Sequence, residues 1–212
     1  MSLIEIRQDY MDSGLNDSDL APDPIEQFAR WFAAAVEAGL NEPNAMTLAT
    51  AAPDGTPSAR MVLLKSFDAQ GFVFYTNYDS QKGRELTANP RAALVFYWPA
   101  LHRQVRVAGE VSPVSRGESE NYFRSRPVGA RLSALASRQS RVIPSRESLE
   151  QHVTELAAQY PDENIPLPDD WGGYRLAPHT LEFWQGRPNR LHDRLRYTRQ
   201  PLGAWVVERL SP

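Results

Sequence analysis

The stretch FWQGRPNRLHDRLRYTR near the end of the chain sets five arginines between Arg187 and Arg199 around one histidine, His192, against a single acid, Asp193. Yet the whole protein is acidic, with net charge −3 and a pI near 5.8. Read as a strand of period two, RLHDR puts Arg190, His192 and Arg194 on one face. Side chains of like charge repel when they stand together, so an anionic ligand accounts for this pattern better than an exposed structural face does.

Other cations stand at comparable places. RMVLLK puts Arg60, Val62 and Leu64 on one strand face, with Met61, Leu63 and Lys65 on the other. Taken alone, charges at both ends of an apolar strand read as rim positions. Lys82 falls in the first turn of a predicted helix, where a cation opposes the helix dipole and a bound phosphate would remove the conflict. Tyr122 and Arg126, at i and i+4 in NYFRSRP, also fit simple capping of a helix end, a contribution of at most about 1 kcal/mol. Together these cations describe sites for two anions, or for one large ligand bearing phosphate groups. Tyr75, Gln104, Gln139 and Trp184 add stacking area and amide groups suited to a planar ring.

Several chemistries have no foothold. The chain has no GxGxxG, P-loop or GxSxG segment. Its four histidines (His102, His152, His179 and His192) lack metal-ligand spacing, so no metal is expected. It has no cysteine, which excludes disulfides, thiolate catalysis and zinc–thiolate sites. The acidic balance argues against nucleic-acid or membrane-surface binding. No apolar run approaches the roughly 20 residues of a membrane helix, and MSLIEIRQDYMDSG does not read as a secretory signal. The expectation is a cytoplasmic protein.

The elements that must position these residues are well punctuated. Residues 1–22 are polar and acidic and read as a flexible or loosely docked arm, and residues 23–212 as one domain. A helix opens with Asp23 as N-cap, Pro24 at its first position and Glu26 at capping-box spacing; Ile25, Phe28, Phe32 and Val36 form its apolar stripe, and Gly39 stops it. Strands follow at AMTLATA, PSARMVLLK, GFVFYTN, ALVFYW and QVRVAGEV, and later at YRLA, LEFWQ, RLHDRLRY and AWVVERL. Helices are predicted in SQKGRELTANP, SRGESENYFRSRP, GARLSALASRQS and RESLEQHVTELAAQY, the last with Leu149, Val153, Leu156 and Tyr160 on one face. The class is α+β, an antiparallel barrel or sandwich with surrounding helices.

RMVLLK, FYTN, SQKGRELTANPRAALVFYW, RQVRVAGEV, NYFRSRP, SRQS, WGGYR, EFWQGRPNRLHDR and the terminal ERLSP occur in an order that resembles the pyridoxamine 5'-phosphate oxidase family, from about Asp23 to Pro212. The resemblance implies a split β-barrel that forms a homodimer with FMN, held without covalent attachment, at the subunit interface. It implies oxidation of pyridoxine or pyridoxamine 5'-phosphate to pyridoxal 5'-phosphate with O2 as acceptor, releasing hydrogen peroxide and, from the amine, ammonia. The residues matching the family's FMN site are Arg60, Met61, Val62, Leu63, Leu64, Lys65, Tyr75, Thr76, Gln81, Lys82, Gln104, Gln139, Ser140, Trp184 and Arg194. Those matching its substrate site are Lys65, Tyr122, Arg126, Arg190, Leu191 and His192, with Arg190 and His192 against the pyridine ring as the catalytic pair. The chain departs from the pattern at Gln81, where arginine is common, at Ala130 for a serine, and at Ser133 and Leu135 for a glycine and a tryptophan. Two other readings fit the same fold, a flavin oxidase of phenazine precursors and a non-catalytic flavin-binding protein. The intact NYFRSRP and RLHDR segments favour a phosphorylated substrate over both. The apolar helix after Pro24 and the ALVFYW strand also offer more apolar surface than one small barrel needs, in keeping with a dimer.

Overall fold

A computed structural model describes residues 14–212. Nine strands form one antiparallel sheet: β1 (Ala45–Ala51), β2 (Pro57–Leu63), β3 (Ser66–Asp68), β4 (Gly71–Asn77), β5 (Arg91–Trp98), β6 (Arg103–Pro113), β7 (Trp171–Gln185), β8 (Asp193–Arg199) and β9 (Trp205–Arg209). They run in the order β2-β1-β5-β6-β7-β4-β3, with β8 on β7 and β9 on β8. Strand β7 is the branch. One of its edges follows β6, while the other carries β4 over Trp171 to Leu176 and then β8 over Thr180 to Gln185. The β6–β7 ladder shifts register between Ala108 and Gly109, and a Cβ on Gly109 would lie 2.0 Å from the Ala177 carbonyl oxygen, so only glycine fits this bulge. With its five helices this curled sheet is the α+β split barrel that the sequence led us to expect.

The helices are α1 (Pro24–Glu37), α2 (Gln81–Ala88), α3 (Arg116–Ser125), α4 (Val128–Ala136) and α5 (Arg146–Gln159). Helix α1 starts where its capping residues place it, with Asp23 accepting from the Ile25 and Glu26 amides. Glu26 does not complete a capping box; its carboxylate pairs with Arg30. The buried face is also rotated from the expected stripe. Phe28, Trp31 and Ala35 are buried, Ile25 and Phe32 are half-buried, and Val36 is exposed. The Phe28 ring lies 4.9 Å from those of Phe67, Phe72 and Phe96, so α1 spends its aromatic surface on the chain's own core. A second cluster joins Phe123, Leu132, Ala136, Leu156 and Trp171, with Leu149, Val153 and Tyr160 packed at its edge, and fastens α3, α4 and α5 to the start of β7.

Two expectations on segments need correction. Residues 1–13 of the expected flexible arm lie outside the described residues, but residues 14–22 are docked. Leu15 and Ala21 are buried, the Tyr197 hydroxyl donates to the Ala21 carbonyl, and the Leu15 amide donates to Asp193. RLHDRLRY is not one strand. Asn189 and Arg190 take φ of 55° and 61° in a 3-10 turn, so the chain reverses there and β8 begins only at Asp193. YRLA and LEFWQ, conversely, belong to the single long β7.

Among the described residues no helix is long and apolar enough to cross a membrane. Phe28→Ala should cost about 3–5 kcal/mol, because it empties a fully buried site at the centre of an aromatic cluster. Urea denaturation followed by circular dichroism checks this, and a loss below about 1 kcal/mol would show that the core closes over the gap.

Candidate functional site

A cavity of about 480 Å³ opens between β2, the end of β4 and α3. It is lined by Arg60, Met61, Val62, Leu63, Lys65, Tyr75, Thr76, Lys82, Tyr122, Arg126 and Gln139 from the sequence reading, together with Asn77, Pro127 and Trp171. Strand β2 supplies the first four. Lys65 follows where β2 ends, Tyr75 and Thr76 close β4, and Tyr122 and Arg126 come from the last turn of α3 and its C-cap.

Lys82 stands in the first turn of α2, which Ser80 caps by accepting from the Gly83 amide. Its ammonium is buried and donates to Gln139 Oε1 at 2.7 Å, Thr76 Oγ1 at 3.1 Å and Ser80 Oγ at 3.3 Å. All three acceptors are neutral. Burial, and next the nearby Arg60 guanidinium, push the Lys82 pKa down to about 8 despite the opposing pull of Glu85. Arg60 is itself held by Glu85 at 3.2 Å, by Ser58 and by Thr50. Burial alone would raise the Glu85 pKa, but hydrogen bonds from Ser58, Thr50, Gln81 and Arg60 outweigh it and hold the carboxyl at about 2. Glu85 therefore fixes Arg60 while leaving Lys82 without a full counter-charge.

Across the cavity Tyr75, Tyr122 and Trp171 stack. The ring centroids of Tyr75 lie 3.9 Å from Tyr122 and 5.7 Å from Trp171. A Cβ on Gly173, which faces Tyr75 across the ladder, would come 2.8 Å from the Tyr75 ring, so the glycine makes the room for it. Lys65 Nζ lies 5.9 Å from the centre of the Tyr122 ring, and the Arg126 guanidinium lies 4.8 Å from that of Trp171. Arg126 Nη1 is buried without a hydrogen-bond partner. A buried donor left unmade costs about 1–3 kcal/mol, so Arg126 calls for an acceptor. The cavity thus combines cations short of anions with flat aromatic surface, a set that fits phosphate groups carried on a planar ring.

The remaining predicted residues do not line this cavity. Leu64 points into the core, and Gln81 turns its amide to Glu85 at 2.9 Å. Ser140, at φ 68°, faces a neighbouring cleft of about 400 Å³ with Arg138 and His152. Gln104, Trp184 and Arg194 form a separate set at the far end of β7, directly opposite one another across β6, β7 and β8. His192 packs on the Trp184 ring at 4.6 Å, and its Nδ1 accepts from the Arg187 amide at 3.1 Å. Burial, and secondarily Arg190, lower the His192 pKa and so favour the neutral ring. Arg190 and Leu191 are exposed on the turn before β8. The expected single face of Arg190, His192 and Arg194 does not exist, because the turn at Asn189 and Arg190 breaks the strand period. The local excess of arginine is largely answered by acids: Arg187 meets the cluster's own Asp193, while Arg194 meets Glu182 and Arg196 meets Glu208.

Sequence reasoning did not single out Asn77, Pro127 or Trp171 one by one. The signal for Trp171 is its place before Gly172-Gly173, where small residues let rings approach a strand. Among the described residues no cluster of His, Asp and Glu could hold a metal.

The profile described as "Pyridoxamine 5'-phosphate oxidase" matches residues 32–160, and that of the "Pyridoxine 5'-phosphate oxidase C-terminal dimerisation region" matches residues 171–212. A pyridoxine/pyridoxamine 5'-phosphate oxidase of Cupriavidus pinatubonensis is 57% identical over 210 residues, covering 99% of each chain. One of Nostoc sp. is 54% identical over 211 residues, covering 100% of this chain and 99% of its own. Among solved structures, PhzG of Burkholderia lata, in complex with tetrahydrophenazine-1-carboxylic acid, superposes with a TM-score of 0.87 at 37% identity, covering 92% of this chain and 95% of its own. An FMN-binding protein of Nostoc punctiforme shares the fold with a TM-score of 0.71 at 21% identity, covering 91% of this chain and 98% of its own.

Lys82 yields a stability prediction. Its pKa is lower in the folded protein than the ordinary 10.5, so between pH 8 and 10.5 the unfolded chain binds more protons. Without ligand, Lys82 should therefore make folding more favourable as pH rises through that window, by up to about 3 kcal/mol. Urea midpoints at pH 7.5 and 10 should diverge less in Lys82→Met than in the parent chain; equal divergence in the two would remove the assignment.

Proposed function

The chain belongs to the pyridoxamine 5'-phosphate oxidase family, and from that premise we propose that it is an FMN-dependent oxidase that converts pyridoxine and pyridoxamine 5'-phosphates to pyridoxal 5'-phosphate with O2 as acceptor. The observation that carries the reading is a cavity holding two groups of cations. Arg60 and Lys82 are neighbours in it, while Lys65 and Arg126 lie against the Tyr75–Tyr122–Trp171 stack. Such a cavity suits two phosphate-bearing rings.

In this reading Lys82 and Arg60 hold the flavin phosphate, and Met61 to Leu63 and Thr76 flank the ring. A monophosphate fits better than a dinucleotide, since no second phosphate-binding loop is present in the sequence. Lys65, Tyr122 and Arg126 hold the substrate phosphate, with the orphaned Arg126 Nη1 as its donor. Bound flavin supplies the two-electron acceptor for oxidation at the carbon bearing the amine or hydroxyl, and O2 reoxidises it.

Gln104, Trp184 and Arg194 complete the flavin site, and Arg190, Leu191 and His192 the substrate site, from a second copy of the chain. Trp171 and Trp184 are thirteen residues apart on β7, a path of about 40 Å along the strand, and Gln104, Trp184 and Arg194 do not line the cavity, which supports a second copy as their source. A homodimer accords with the dimerisation-region match. It also accords with the outer sheet face, where Ala59, Ala49, Ala93 and Ala108 make a flat row beside exposed Met61 and Tyr97. This face, rather than α1, holds the apolar surface left over for assembly. A cytoplasmic enzyme remains the reading for location. Oxidation of a phenazine precursor is the second reading, favoured by the likeness to PhzG. The Lys65–Arg126 pair argues for the phosphorylated substrate instead.

Two outcomes test this. Denatured protein should release FMN, not FAD; a protein that holds neither after incubation with FMN would contradict the reading. Arg194→Ala should weaken FMN binding, with activity partly restored by excess FMN, whereas Arg190→Ala should stay yellow and lose turnover per bound flavin. Flavin absorbance and kcat/KM for pyridoxine 5'-phosphate at saturating FMN separate the two, and identical behaviour would cancel the division of roles.

A further inference from the structure

Glu182 has no place in either binding set, yet it is a carboxylate only 8% exposed on β7. Its Oε1 accepts from Arg194 Nε at 2.9 Å, and its Oε2 from Arg106 Nη1 at 3.4 Å. The strand register explains the choice of partners. Glu182 faces Arg106 on β6 and Arg196 on β8, while Arg194 stands one diagonal step away, opposite Trp184. Arg196 is drawn off to Glu208 at 2.9 Å on β9, which leaves Glu182 to Arg194 and the more exposed Arg106. From the other side Arg194 Nη1 donates to the Ser211 carbonyl at 2.9 Å, and the Arg194 carbonyl accepts from the Leu210 amide at 2.8 Å. Two of the three guanidinium nitrogens are thereby fixed.

We propose that Glu182, assisted by the Ser211 carbonyl, is the positioning residue for Arg194. It acts through Arg194. It holds the guanidinium in one orientation before the cofactor arrives, so the cost of ordering a long side chain is not subtracted from binding. Its charge also answers that of Arg194, whose proton is held more firmly chiefly through this hydrogen bond. The inference rests on the assignment of Arg194 to the flavin.

The test is a double-mutant cycle on the full-length protein freed of flavin. FMN dissociation constants are read from quenching of flavin fluorescence, with circular dichroism as a check on folding. Glu182→Gln keeps the volume and removes the charge, and should weaken FMN binding about tenfold or more, a larger effect than on turnover at saturating FMN. In the Arg194→Ala background the same change should add no further loss, because its effect passes through the missing guanidinium. Glu182→Asp keeps the charge and should lose less than Glu182→Gln; should Glu182→Gln not fold, Glu182→Asp carries the same cycle. Unchanged affinity in Glu182→Gln, or a loss that adds fully to that of Arg194→Ala, overturns the inference. If Arg194→Ala binds FMN like the parent chain, the assignment of Arg194 fails, and the role of Glu182 falls with it.

Discussion

The length of β7 is the constraint on which the rest depends. One continuous strand begins in the cavity, at Trp171, and ends in the Gln104–Trp184–Arg194 row. Its hydrogen bonds to β6 hold the two ends apart. On the proposed reading the mononucleotide site is finished by assembly with a second copy and not by local movement of loops. The flat outer face of the sheet then has a purpose beyond solubility. Any residue that disturbs that face should affect cofactor retention as well as association.

Within each half the cations are of two kinds. Some cations are held in place by buried acids, and others have only neutral partners or an unmade hydrogen bond. Arg60 is tied to Glu85 and Arg194 to Glu182, each with the acid on a neighbouring strand or helix. Lys82 has only neutral acceptors, and Arg126 keeps an orphaned donor. The two buried acids make rigid platforms, and the two under-matched cations make the binding energy available to an incoming phosphate.

Much of this was legible in the sequence. The cap at Asp23 and Pro24 and the period-two runs of β1, β5 and β6 mark their elements nearly to the residue. The cavity residues cluster around strand and helix ends, where a charge beside an apolar run is conspicuous. Three features were hidden. The RLHDR period was broken by two left-handed residues, and local pattern gives no sign that an arginine will adopt that conformation. The partners of the arginine cluster, Glu182 and Glu208, are set by register between strands that a linear reading does not pair. Docking of residues 14–22 depends on the Tyr197 hydroxyl and on Asp193, far along the chain.

The most direct test of a site shared between two copies is complementation by mixing. Lys82→Ala and Arg194→Ala proteins, each impaired in a different half, are combined, allowed to exchange subunits and supplied with FMN and pyridoxine 5'-phosphate. Random exchange puts about half of the dimers in the mixed form, each with one wild-type site, so oxidase activity should return to about a quarter of the parent value. Mixtures that exchange fully yet gain no activity over the separate variants would show that each chain builds its site alone, contrary to this account.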